Sequence, residues 1–255
     1  MYIYIFCSII YWNFCIQGGG ILAVLLDILL FGIIFLFALT AKKNNSLAAE
    51  ATDLASMFFA CFASVKFSNF LAKSTYTLFF RNEIAGKLLP LTQKIFRMDG
   101  QSTNLERVMR CMPSFIANGA NWLVLDDETV PVLVDRYACH PAQQAAEEIS
   151  DLIAGPVIEA VFYSVYLLLS FVMFNFIFKV IFSLLKADLK GIVEYNDIVL
   201  SKCVGAIRGF IFCLLLLALL RLAMPCFGFY GTFNDWVQDT IFFRIMFNDN
   251  ILIHL

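Results

Sequence analysis

Four stretches of this sequence are long and apolar enough to cross a bilayer as helices, and that constrains the fold more than any other feature. The apolar core of a bilayer is about 30 Å thick, so a crossing helix needs roughly 20 residues at about 1.5 Å each. Ile21 to Leu39 carries one charge, Asp27, and is followed by Lys42 and Lys43. Pro156 to Phe182 carries Glu159 near its start and Lys179 near its end. Cys203 to Met224 is interrupted only by Arg208 and Arg221, each close enough to an end for a long side chain to reach the head-groups. Leu47 to Leu71 is the weakest, because Asp53 and Lys66 break its apolar run and alanines replace leucines. Composition points the same way: 61% of the 255 residues are hydrophobic, 28 are Phe and only 15% are charged. The expected class is an all-α integral membrane protein with about four transmembrane helices, and the lipid bilayer is its first partner.

Small residues supply the expected contacts between helices. Ala48, Thr52, Ser56, Ala60, Ser64, Ser68 and Ala72 recur every four residues on the second stretch, and Ser201, Gly205, Gly209 and Cys213 do so on the fourth. Lipid gives helices no hydrophobic reason to associate, so close van der Waals contact along small side chains becomes a main adhesive. Ser56, Ala60 and Ser64 and Ser201, Gly205 and Gly209 are therefore read as helix-packing residues, with the second and fourth helices packed on each other. Gly205 to Gly209 is also a GxxxG, a pattern that arises by chance in apolar helices and can merely seat a loop.

Lysine and arginine in short loops set orientation. Lys42 and Lys43 join the first two helices, and Lys186, Lys190 and Lys202 the last two, which places both tails and the long stretch from about Lys73 to Gly155 outside. The domain reading is residues 1–19 as an apolar extension, 20–72 as the first helix pair, 73–155 as a mostly helical inserted domain, 156–225 as the second pair, and 226–255 as an amphipathic tail. Ionisable groups within a span are functional suspects by default. By rise per residue, Asp27 lies about 10 Å, Glu159 about 5 Å and Arg221 about 5 Å from the outer end. These three form a candidate intramembrane polar cluster, with Arg221 holding one or both carboxylates; Arg208 lies about 24 Å from that end, too deep to join.

In the inserted region, Leu78, Phe79, Ile84, Leu88, Leu91, Ile95 and Phe96 follow a helical period that Pro90 is expected to split into two short helices. Thr103 and Glu106 fit a capping box opening a helix toward Ile116, with Gly119 ending it. Asp126, Asp127 and Glu128 are adjacent and so diverge, which fits a solvated turn better than a metal site. Cys139-His140-Pro141 lacks a matching ligand pair and reads as a loop before a helix from Ala142 to Ile153. The eight cysteines show no CxxC and read as small core hydrophobes. The first 16 residues are too short to span and lack a positive start, so they suit an interfacial segment, or an upstream start codon, better than a secretory signal. Near the other end, Phe233, Trp236, Val237, Thr240, Ile241 and Ile245 share one face of an amphipathic helix expected on the membrane surface or docked on the inserted domain.

The run Asp197-x3-Ser201-x3-Gly205-x2-Arg208-Gly209, leading into an aliphatic span, resembles the last transmembrane helix of the CvpA family, the colicin V production proteins. The first span is similar too, with Asp27 near its start, basic residues after it and Glu50 where the family carries a glutamate. The family's arginine-glycine pair is replaced by Asn44, Asn45 and Ser46, Ser201 stands for a usual glycine, and Asn248 and Asn250 resemble the end of longer members. The resemblance covers about half the chain. It implies a small multi-pass protein of the bacterial inner membrane, linked to production or export of a peptide toxin, and transfers no catalytic site.

Three function classes follow. A non-enzymatic accessory or scaffold protein for toxin production, export or envelope maintenance is favoured. A subunit of a small transporter or channel needs a wet path that four helices build only by joining a second copy or other membrane proteins. A membrane enzyme has little to work with, having two histidines, no HExxH, no GxSxG and no phosphate loop. No cofactor or metal is expected, and a net charge of −2 offers nucleic acid no basic field.

Overall fold

The computed structural model describes residues 21–41, 47–95, 104–124, 129–137, 140–189, 198–227 and 230–249, which are almost entirely helical, with no strand among them. Helix α1 is Ile21–Thr40 and α2 is Leu47–Thr75. A π-helical turn, Tyr76–Phe80, carries α2 without interruption into α3, Arg81–Ile95. Helices α4 (Asn104–Cys111), α5 (Ser114–Leu123), α6 (Thr129–Tyr137) and α7 (Ala142–Ile149) follow. A second π-turn, Ser150–Ala154, joins α7 directly to the 35-residue α8, Gly155–Leu189. Then come α9 (Ile198–Ala223), a 3₁₀ turn (Met224–Cys226), α10 (Tyr230–Gln238) and α11 (Phe242–Asn248).

Four helical segments, Ala23–Thr40, Ala49–Pro90, Ala142–Leu184 and Val199–Cys226, are long and apolar enough to cross a membrane. They overlap the four stretches read from the sequence and extend the second and third well beyond them. Large apolar side chains point outward along them, with Phe70 67%, Phe176 69% and Leu184 69% exposed, a surface that suits hydrocarbon and not water.

The chain divides into two compact units. One comprises Met1–Ala63, Phe171–Ala218 and Gly231–Leu255; the other comprises Ser64–Ser170 and Leu219–Tyr230. The second unit has a continuous apolar core, to which α3 gives Ile84 and Leu88, α4 Val108, the bend after it Met112, α5 Ile116 and Ala120, α6 Val130 and Val134, and α7 Ala146 and Ile149. These are the inner faces of amphipathic helices, spaced three or four residues apart.

Several local expectations are corrected. Pro90 does not split its segment: it sits on an exposed face of α3, and the Gly86 carbonyl that loses its N–H belongs to an exposed residue too, so no unpaired group is sealed in the core. The helix from residue 104 does not reach Ile116: it ends at Cys111, and Pro113, extended at ψ 143°, opens α5. Gly119 lies inside α5 instead of ending it. A side chain there would meet the Val157 Cγ1 at 2.6 Å and the Cys226 Sγ at 3.2 Å, so glycine is needed for close approach. The helix beginning at Ala142 does not stop near Ile153. Where Pro156 has no N–H to give, the turn widens and the Gly155 N–H reaches back five residues to the Ser150 carbonyl. Of the cysteines, Cys61, Cys213 and Cys226 are buried, whereas Cys111 and Cys203 are exposed.

The amphipathic tail is two helices, broken at Asp239–Ile241. Its buried face runs through Phe233, Val237, Phe243 and Phe247, while Trp236 and Ile245 point outward. The expectations for residues 1–19, Thr103, the Asp126–Glu128 triplet, Cys139 and Asn250 lie outside the described residues.

Candidate functional site

The first unit holds a network of four charges drawn from three of the four helices long and apolar enough to span a membrane. Arg208 of α9 donates from Nη1 to Glu50 Oε2 of α2 at 2.8 Å and lies 3.4 Å from Asp53 Oδ2. Lys179 of α8 completes it, 3.8 Å from Asp53 Oδ1. Glu50 and Asp53 are three residues apart and so share a face of α2, in its first turns, where the helix dipole favours negative charge. The Glu50 side chain is 3% exposed and that of Arg208 19%, so the central pair is nearly dry, whereas the Lys179–Asp53 pair at its edge is half exposed. Two acids and two bases balance. Three polar atoms nearby in the sequence of these helices, Arg208 Nε, Ser201 Oγ and Asn175 Oδ1, are buried without a hydrogen-bond partner.

The small residues around Arg208 determine what α9 rests on. A Cβ on Gly205 would stand 2.8 Å from the Ala41 Cβ and 2.8 Å from the Phe37 carbonyl oxygen, and one on Gly209 2.8 Å from the Ile34 Cα. One helical turn further on, the Cys213 thiol points at the Leu30 carbonyl at 3.9 Å. This stripe therefore lies backbone to backbone against α1, not against the second helix as its spacing suggests. The second and fourth helices meet through Glu50 and Arg208 instead. Ser56, Ala60, Ser64 and Ser68 of α2 are fully buried, and in the second unit the Ser68 and Ser170 hydroxyls share a hydrogen bond of 2.8 Å between α2 and α8.

Asp27 works at the other end of α1. Its carboxylate accepts the backbone N–H of Ile241 at 3.1 Å and of Phe243 at 2.8 Å, which caps α11 from a distant part of the chain and explains the break in the tail. Thr240 adds a local cap by accepting the Arg244 N–H at 2.8 Å. Asp27→Asn keeps one acceptor and turns an amide toward the other N–H. We expect it to cost about 1 kcal/mol and to make the tail after Val237 cleavable by added protease, with the rest of the first unit intact. An unchanged cleavage rate would count against the cap.

Of the other two members of the expected outer cluster, Glu159 lies in α8 and Arg221 in the last turn of α9, both in the second unit, while Asp27 belongs to the first. Among the described residues, Lys73 and Asp151 lie close enough for their charges to act on Glu159, and Arg221 close enough to act on Tyr230.

The second unit has its own polar cluster, where the two π-turns face each other. Tyr76 donates to Asp151 Oδ1 at 2.9 Å and shares a bond of 3.2 Å with the Ser150 hydroxyl. Arg81 grips the same carboxylate with Nε at 2.9 and 3.1 Å and with Nη2 at 2.7 Å. Gly155 lets the Tyr76 ring approach, since a Cβ there would stand 3.3 Å from its Cε1. On α7 and the loop before it, His140 Nδ1 meets Glu148 Oε2 at 2.6 Å.

Sequence reasoning placed Arg208 at the head-groups and did not assemble Glu50, Asp53 and Lys179 with it. The signal that finds them is charge balance by depth. In four helices of alternating direction, the start of the second, the end of the third and the start of the fourth share one end, and Glu50, Asp53, Lys179 and Arg208 all fall there. The chain matches no protein-family model, no curated protein and no solved structure.

Proposed function

We propose that this is a non-enzymatic, multi-pass protein of the bacterial inner membrane that resembles the CvpA family and acts as an accessory or scaffold in toxin production, export or envelope maintenance. The observation that carries this reading is the use made of the intramembrane charges in the first unit. Glu50, Asp53, Arg208 and Lys179 neutralise one another, and Asp27 is spent on capping backbone, so these groups brace helices and do not line an open path. The order of Asp27, Glu50, Ser201, Gly205, Arg208 and Gly209 along the chain supports the family resemblance.

The alternative, a subunit of a small transporter or channel, draws on the buried, unpartnered Asn175 Oδ1, Ser201 Oγ and Arg208 Nε, which are atoms that water could serve. Ion flux in proteoliposomes separates the two. The scaffold reading expects flux no greater than in protein-free liposomes at matched lipid. Flux that scales with protein and disappears in Arg208→Gln would overturn it in favour of the transporter.

A further inference from the structure

Between α3 and α7, in the second unit, lies a groove of about 270 Å³ that the proposed function does not use. Asn82, Ala85, Gly86 and Leu89 line it from one face of α3, and Gln143, Ala146 and Glu147 from one face of α7. Gly86 leaves it open, for nothing lies within 4 Å of where its Cβ would stand. The space exceeds that of a single water and suits a small organic molecule.

Its one charged lining group is a carboxylate, and the rest of its polar lining is backbone and amide. Gly86 contributes backbone alone, and its carbonyl receives no N–H from Pro90, four residues on, because proline has none to give. Asn82 and Gln143 each carry an amide whose NH2 can face Glu147, as that of Gln143 does, and whose oxygen is left to accept. Glu147 brings a negative charge with weak partners: Gln143 Nε2 at 3.4 Å, and Arg81 Nη2 at 3.9 Å, whose guanidinium is committed to Asp151 at 2.7 Å. An anion would meet the carboxylate, and a quaternary ammonium has no N–H for the carbonyl oxygens. A primary ammonium offers a positive centre with three donors, matching a carboxylate flanked by neutral oxygens.

We propose that this groove binds a primary ammonium group, carried either by a small free amine or by a lipid head-group. The full-length protein in phosphatidylcholine nanodiscs, titrated calorimetrically with ethanolammonium chloride and in parallel with choline chloride at equal ionic strength, tests it. Saturable binding of ethanolammonium is expected, with choline weaker by about tenfold or more. Glu147→Gln should weaken ethanolammonium by about tenfold. Gly86→Leu should fill the groove and abolish binding with the unliganded melting temperature preserved, because the added side chain enters open space and leucine favours a helix over glycine. Repeating the titration in phosphatidylethanolamine nanodiscs distinguishes the sources. Competition there identifies a lipid head-group, and equal affinity in both identifies a free amine. Equal response to choline and ethanolammonium, no saturable response, or full binding in a folded Gly86→Leu would overturn the proposal. None of these readouts depends on the scaffold reading.

Discussion

Arg208→Ala is expected to be the most damaging single substitution in the first unit, costing about 3–5 kcal/mol and abolishing accumulation of the protein in membranes. It leaves the carboxylate of Glu50, with 3% of its side chain exposed, without the guanidinium at 2.8 Å that offsets its burial. Much of that cost is the uncompensated charge and not the worth of the pair, so a double-mutant cycle reveals its origin. Glu50→Gln combined with Arg208→Gln should be clearly less destabilised than the sum of the two single variants when melting is followed in detergent. Additive losses would mean that the two side chains are not coupled. Asp53, at 3.4 Å from Arg208 and 3.8 Å from Lys179, should couple more weakly, since it sits at the wetter edge of the network.

Gly205→Leu should follow closely, at about 2–4 kcal/mol, with a lowered melting temperature in detergent. The expected size rests on what the new side chain would strike. At Gly205 and Gly209 the nearest atoms include the backbone of α1, at 2.8 Å, and backbone cannot swing aside as a flexible side chain can. Even Gly205→Ala places its Cβ inside contact distance and should be measurably destabilising. Gly32→Leu is the matched control, because Gly32 lies on α1 with nothing within 4 Å of its Cβ position and should tolerate the change. If Gly205→Leu melts like the parent protein, α1 and α9 do not touch along this face.

The helical spans are legible in the sequence because length and hydropathy are local properties, and a crossing segment must satisfy its backbone hydrogen bonds within itself. The identity of the helix that meets a small-residue face is not local. The spacing of Gly205 and Gly209 predicts a flat stripe, but any nearby backbone can fill it, and α1 does. Arg208 illustrates a related limit. Its nearness to a helix end suggests a side chain reaching for head-groups, and only the third dimension brings Glu50 and Asp53 within its reach. The continuity of α7 into α8 is hidden for a different reason. Gly155 and Pro156 are breaking signals in any local reading, and a π-turn defeats them by reaching one residue further back for its hydrogen bond. The tail breaks at Asp239–Ile241 because an acceptor more than two hundred residues away caps it, which no periodicity within the tail encodes.

The two widened turns, Tyr76–Phe80 and Ser150–Ala154, mark where this chain can change length over time. Each fits one residue more than an ordinary turn into a single revolution, so the surplus is absorbed locally and the faces of α3 and α8 keep their direction. Losing it would tighten that turn without swinging the rest of the helix round. A one-residue deletion inside either turn should therefore be milder than one in the regular helix beside it, where every later side chain rotates by about 100°.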